Sequence, residues 1–186
     1  KKYLSQEDEL RYFNPIRESH PQHLLPEKTN VVVIVLESFG MEFVGSLSGK
    51  ESYTPFLDSL LNQSLFFEHG FANGKKSVEA IPAIVSSIPS LLNEPYLTST
   101  YAANSIESLP KTLGKSGYES AFFHGATNGS MRFDAFAKIA GFNHYFGRKE
   151  YGNEHHYDGT WGIFDHHFNP WVAKKISSLK QPFCSL

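Results

Sequence analysis

Three side chains of types that catalysis uses each follow an apolar, strand-like run. Glu37 follows residues 30–36 (NVVVIVL), Ser77 follows residues 65–71 (LFFEHGF) and a Gly-containing loop, and His124 closes residues 118–124 (YESAFFH). In a parallel sheet the loops at strand carboxyl ends converge on one edge, so groups far apart in sequence can share a site. A charge at the end of an all-apolar strand is costly unless paired. Glu37 therefore reads either as a base or ligand for a hard divalent cation, or as an acid capping the next turn. Ser77 opens residues 78–88, whose apolar positions recur at helical intervals. It reads either as a nucleophile, whose developing negative charge a helix N-terminus would favour, or as an N-cap with Ala80 where a capping box wants an acid or amide. Lys75 and Lys76 add positive charge at the same spot. His124 reads as a binder of an anionic substrate oxygen, a proton donor, or a satisfied core histidine.

Two histidine pairs, His155-His156 and His166-His167, invite a metal reading. Adjacent residues on a strand or helix point in different directions, so neither pair is expected to chelate as a unit. The Phe66-Phe67 and Phe122-Phe123 pairs read as core.

The elements that must position these groups alternate along the chain. Residues 30–36 are a continuous β-branched run, which predicts a strand buried on both faces. Thr54-Pro55 and the apolar residues after it predict a helix, and residues 65–71 predict a second strand. After Ser77 and its helix, residues 109–115 predict a short helix closed by Gly117, and residues 118–124 a third strand. Residues 133–140 predict a helix closed by Gly141, residues 143–146 a short strand, and residues 161–178 a further amphipathic helix. This alternation implies an α/β fold: a mostly parallel central sheet with helices on both faces. Residues 1–29, polar and charged with His20-Pro21-Gln22-His23, read as a surface linker or tether with room for one short helix. Residues 30–186 read as the N-terminal portion of a catalytic domain.

A chain of 186 residues with 40% hydrophobic and 15% aromatic composition can bury one core of single-domain size. The net charge of -2, from 17 basic and 19 acidic side chains, leaves no global field for a polyanion, so nucleic acid is not expected as a partner. With Cys184 as the one cysteine, neither an intrachain disulfide nor a Cys-based zinc cluster is possible. The longest apolar run, residues 31–36, is far shorter than the roughly 20 residues that span a bilayer. Both ends read as cut: the chain opens without Met and stops in an apolar run, residues 182–186, that reads as a strand just starting. Part of the sheet and of the site is therefore expected beyond Leu186.

Taken in order, residues 30–39 (NVVVIVLESF), 54–57 (TPFL), 73–82 (NGKKSVEAIP), 123–125 (FHG) with 131–133 (MRF), and 161–165 (WGIFD) resemble the lipoteichoic acid synthase-type branch of the alkaline phosphatase/sulfatase superfamily. The resemblance implies an alkaline phosphatase-like fold truncated at its C-terminus. It implies that Glu37 ligates a catalytic divalent metal (manganese, magnesium or zinc) and that Ser77 ligates the same metal, attacks phosphorus and becomes the covalent intermediate. It further implies that His124 and Arg132 line a phosphoglycerol pocket and that Lys75 and Lys76 hold the phosphate. The expected reaction moves a phosphoglycerol-type head group from a phospholipid to a glycan or other alcohol acceptor. The expected place is the extracytoplasmic, periplasmic side of a bacterial cell membrane, with a tether upstream of Lys1. The sequence departs from that branch in three ways. An extra Lys precedes Ser77, Met131 stands where a Trp is common, and the Asp-His metal pair is expected only beyond Leu186. A phosphatase or phosphodiesterase, a phosphoethanolamine transferase and a sulfatase are alternatives within the superfamily, although residues 77–81 lack the Cys/Ser-x-Pro-x-Arg motif of true sulfatases. A non-catalytic module that binds an anionic head group or glycan is the alternative outside enzymes.

Overall fold

A computed structural model describes residues 3–12, 14, 18, 20 and 26–186. Four strands, β1 (Val31–Val32), β2 (Glu119–Phe123), β3 (His144–Phe146) and β4 (Phe183–Ser185), form one sheet in the order β1-β4-β2-β3. Every pairing is parallel, so all four carboxyl ends open on the same edge. The helices are α1 (Gln6–Tyr12), α2 (Gly45–Ser48), α3 (Pro55–Leu61), α4 (Ser77–Ser86), α5 (Leu109–Gly114), α6 (Phe133–Ala140), α7 (Arg148–Tyr151) and α8 (Asp165–Ile176).

Strand β2 is the centre of the sheet, with Ala121 and Phe122 essentially unexposed. Successive strand residues face opposite sides, and β2 uses both. Phe122 packs its ring against Phe133 at 5.7 Å, Phe142 at 5.4 Å and Tyr145 at 5.7 Å, which places α6 on one face. Phe123 packs against Phe146 at 4.9 Å and Trp171 at 6.4 Å, which places α8 on the other. The main core lies on the α6 side, where Val78, Ile81 and Val85 of α4 join Phe122, Phe133 and Phe136 in one cluster. Ser108 caps α5 by accepting from Lys111 N at 3.3 Å, and its hydroxyl donates to Ala140 O at 2.5 Å, tying α5 to the end of α6.

The expected helices form, and several end where the sequence marks them. Pro55 stands in the first turn of α3, and α6 stops at Gly141, whose φ of 84° is costly for a residue with a Cβ. Two expected strands are corrected. Residues 65–71 form no strand, and Leu65, Phe67 and Phe71 are exposed. The run at residues 30–36 reaches only two strand residues, and Val32, Ile34, Val35 and Leu36 are exposed rather than buried on both faces. The physical reason is a lack of partners. β1 sits at the sheet edge with β4 on one side only, and a strand needs a neighbour for its backbone groups and a covering layer for its side chains. In the N-terminal segment α1 buries none of its residues, and Pro21-Gln22-His23 lies outside the described residues.

Candidate active site

Ser77 is the first residue of α4, and the N-cap is Lys76 in extended conformation. That corrects the expected capping register by one position. Glu79, not Ala80, stands at N3, and its Oε2 accepts from the backbone N–H of Lys75 at 2.7 Å and of Lys76 at 3.2 Å. Gly74 makes room for this arrangement, since a Cβ there would lie 2.6 Å from the Cβ of Glu79. The carboxylate thus folds the loop back onto the helix and fixes the direction in which Ser77 leaves it. Glu79 N and Ala80 N both donate to Lys76 O at 3.0 Å. Among the described residues no acceptor takes the N–H of Ser77 or Val78, and these two donors point the positive end of the helix dipole outward. Lys75 and Lys76 are exposed, and Ser77 is half-buried.

His124 follows the last residue of β2, and its backbone N–H donates to Phe146 O at 2.9 Å. Its ring stands edge-on to Phe133, centroids 4.8 Å apart. Nδ1 is buried, with no hydrogen-bond partner among the described residues. Burial pushes its pKa down, which keeps the imidazole neutral at pH 7. An unmade hydrogen bond on a buried polar atom costs about 1–3 kcal/mol.

Arg132 adjoins the same Phe133. It and Met131 both occupy the left-handed region, at φ 59° and 52°, a conformation that costs a non-glycine residue roughly 1–2 kcal/mol. Its Nη1 reaches Leu97 O at 3.4 Å, and it lines a cavity of about 60 Å³ with Leu97, Phe136 and Ile139. That space is far below the roughly 300 Å³ at which ligand pockets begin.

Glu37 lies in an exposed turn with Ser38 at φ 58°. Val33 N still donates to Ser185 O at 2.8 Å, so the chain leaves the sheet between β1 and Glu37 at the edge where His124 also emerges. Val78, next to Ser77 in the chain, and Phe133, whose ring meets His124, both belong to the main core cluster; among the described residues no hydrogen bond or ring contact joins Ser77 to His124. Among the described residues no hydrogen bond joins Glu37 to Ser77, and no group of three or more His, Cys, Asp or Glu converges to hold a metal. A carboxylate and a hydroxyl are the hard oxygen donors that magnesium and manganese take, yet these ions want about six. By donor type alone Glu37 and Ser77 suit such an ion, and two oxygens are fewer than it takes.

Two features went unread in the sequence. Glu79 carries the capping signature, an acid three residues after the true N-cap, which becomes visible once the register is set at Lys76. The histidine pairs meet across as well as within. His156 stacks on His167 with centroids 3.6 Å apart, His166 lies 4.1 Å from His167, and the Tyr151 hydroxyl sits 2.5 Å from His156 Nδ1. No local spacing announces that contact, because it depends on how α8 packs back on residues 154–156.

The parallel sheet with helices on both faces matches solved structures of the alkaline phosphatase superfamily. The chain superposes with a TM-score of 0.78 and 26% identity on an alkaline phosphatase superfamily protein from Vibrio parahaemolyticus, covering 88% of this chain and 40% of that one. It superposes with a TM-score of 0.69 and 25% identity on the lipoteichoic acid synthase LtaP from Listeria monocytogenes, covering 85% and 39%. The sulfatase family model matches residues 29–185, and the chain belongs to that family. Among its relatives are the lipoteichoic acid synthase-like protein YvgJ of Bacillus subtilis, 30% identical over 87% of this chain and 26% of YvgJ, and lipoteichoic acid synthase 2 of the same organism, 28% identical over 84% and 25%. The chain thus spans about a quarter of the length of these curated relatives.

Proposed function

We propose that this chain carries the nucleophile-bearing part of a phosphotransferase that moves a phosphoglycerol-type head group from a phospholipid to a glycan or other hydroxyl acceptor. The observation that carries the reading is the place of Ser77, the first residue of a helix whose leading N–H groups have no acceptor among the described residues, in a chain that the sulfatase family model matches over residues 29–185. The Ser77 hydroxyl loses its proton and attacks phosphorus, the P–O bond to the lipid's diacylglycerol breaks and that alcohol leaves carrying a proton, and the free N–H groups at the start of α4 stabilise charge on the phosphoryl oxygens. Lys75 and Lys76 screen that charge, and His124 and Arg132 bind the glycerol phosphate moiety. A divalent cation held partly by Glu37 and Ser77, whether manganese, magnesium or zinc, would supply Lewis acidity that lowers the hydroxyl pKa. The acceptor hydroxyl then displaces the head group from Ser77. The names of the relatives support this branch of the family, and a phospholipid donor fits an extracytoplasmic domain tethered to a bacterial membrane. Among the described residues no helix is long and apolar enough to cross a bilayer, so the tether belongs to this proposal.

Two variants of the full-length protein test the reading. Ser77→Ala is expected to abolish release of glycerol phosphate from a phosphatidylglycerol analogue with little change in melting temperature, and retained turnover would remove Ser77 from the chemistry. Glu37→Gln is expected to lower the metal content of the purified protein; unchanged occupancy means that Glu37 is not a ligand. A phosphatase or phosphodiesterase would share the Ser77 dependence and give the free head group whether or not a glycan is added.

A further inference from the structure

Three of the histidines that the sequence sets in pairs meet in one stack, and the chemistry proposed at Ser77 uses none of them. The His156 ring lies on that of His167 with centroids 3.6 Å apart and planes 10° from parallel, and His166 is 4.1 Å from His167. The stack closes a clasp. Phe164 N donates to His156 O at 2.9 Å and Tyr157 is bridged to Ile163, so residues 156–164 double back and bring the start of α8 against His156. The same segment is fastened to the chain that leaves β2. Ile163 N donates to Gly125 O at 2.8 Å, and Gly162 is bridged to Ala126. Phe168, next to His167, is buried against Gly125, where a Cβ would lie 3.1 Å from its ring. Residues 156–168 therefore brace the segment that directly follows His124.

The surroundings of the stack suit neutral rings. His156 Nδ1 meets the Tyr151 hydroxyl of α7 at 2.5 Å. Asn153 Oδ1 accepts from His155 N at 3.1 Å, which turns the amide nitrogen toward the His156 ring, 3.3 Å from Nε2. With Nδ1–H donating to the tyrosine oxygen and Nε2 accepting from Asn153, one neutral tautomer satisfies both contacts, and a second ring proton would set N–H against N–H. His166 and His167 stand in the first turn of α8, where the helix dipole disfavours positive charge. Two carboxylates lie on the elements around the stack. Glu154 is paired with Arg148 of α7, and Asp165, exposed at the head of α8, makes no ion pair with a stacked ring. Burial first, then the His156 and His166 rings, push the His167 pKa down.

We propose that the stack of His156 on His167 is an acid-sensitive clasp, which holds residues 156–168 against Gly125 and Ala126 while both rings are neutral and parts when both are protonated. Two unit charges about 4 Å apart disfavour the closed form by about fivefold even in bulk water, and by more where the rings are half-buried. Because the folded His167 value lies below the ordinary one, closure is complete above about pH 6.5 and is lost as pH falls through the folded value. The clasp does not depend on what Ser77 transfers. Hydrogen exchange of the full-length protein, corrected for the intrinsic effect of pH on exchange, reads it at the amides of Ile163 and Phe164. Their protection is expected to fall by about fivefold or more between about pH 7.5 and about pH 5, while that of Phe122 in β2 holds. In His167→Phe, which keeps a ring in the stack and has no proton to gain, the fall should stay under about twofold. His156→Phe should behave alike, so that a folding defect in one variant leaves the other to decide. Protection independent of pH in the wild-type protein, a fall shared equally by Phe122, or an undiminished fall in the two variants overturns the proposal. So does loss of the effect in His124→Gln, which would assign the proton to His124 instead.

Discussion

Replacing Glu79 tests how the nucleophile is held. Its carboxylate ties the loop of Gly74, Lys75 and Lys76 to the first turn of α4 through two backbone N–H groups at 2.7 and 3.2 Å, beside the backbone bonds that Lys76 O accepts. Glu79→Ala removes that cap, worth about 1 kcal/mol, and the favourable placement of a negative charge in the first turn, worth about 0.5 kcal/mol. The expected loss is about 1.5 kcal/mol, roughly tenfold in the folding equilibrium. Glu79→Gln keeps an acceptor oxygen and gives up the charge, so it should lose only about 0.5 kcal/mol. Urea unfolding of the domain, followed by circular dichroism, separates the three proteins. Head-group release provides a second readout. With the loop untied, Ser77 samples more orientations, and Glu79→Ala should lose turnover at a temperature where it is still folded. A Glu79→Ala protein within about 0.5 kcal/mol of wild type, the range of ordinary surface changes, and with full activity would refute the claim that Glu79 positions Ser77.

Three further outcomes follow from the packing and the titrating groups. Phe122 is buried against three rings, so Phe122→Ala should cost about 3–5 kcal/mol by denaturant unfolding, and a loss below about 1 kcal/mol would mean the cluster is not the core. The His124 pKa is lowered by burial, so the unfolded chain takes up this proton first as pH falls. The stability at stake is complete above the ordinary histidine value of about 6.5 and is lost as pH drops from there through the folded value. His124→Gln should therefore flatten the stability curve in that window, and parallel curves would contradict the assignment. Gly74→Ala sets a Cβ 2.6 Å from that of Glu79 and should reproduce the Glu79→Ala loss of activity; a fully active Gly74→Ala would show that the close approach is not needed.

The sequence discloses what is local and misses what depends on neighbours. α6 was legible to its last residue because its apolar spacing and Gly141 are both local signals. β2 and the short β3 were legible because their apolar runs find partners on the sheet. Residues 65–71 have equal apolar content and form no strand, since no described strand lies alongside them. The edge position of β1 likewise cut a seven-residue expectation to two. At the site, Ser77 beside a helix start was legible, while the capping register was not, because Lys76 is an uncommon N-cap. The orphaned nitrogen of His124 and the stack of His156 on His167 depend on tertiary packing alone. The resemblance to the sulfatase family, carried by ordered short motifs, located the fold class that the family match and the superpositions bear out.

Formation of a covalent bond to Ser77 is the most direct test of the account. Full-length protein incubated with phosphatidylglycerol, quenched rapidly and digested, should give a peptide spanning Ser77 that carries the mass of one glycerol phosphate group, absent from Ser77→Ala and chased away by an acceptor glycan. An adduct on another residue, or transfer that continues in Ser77→Ala with no adduct at all, would contradict it.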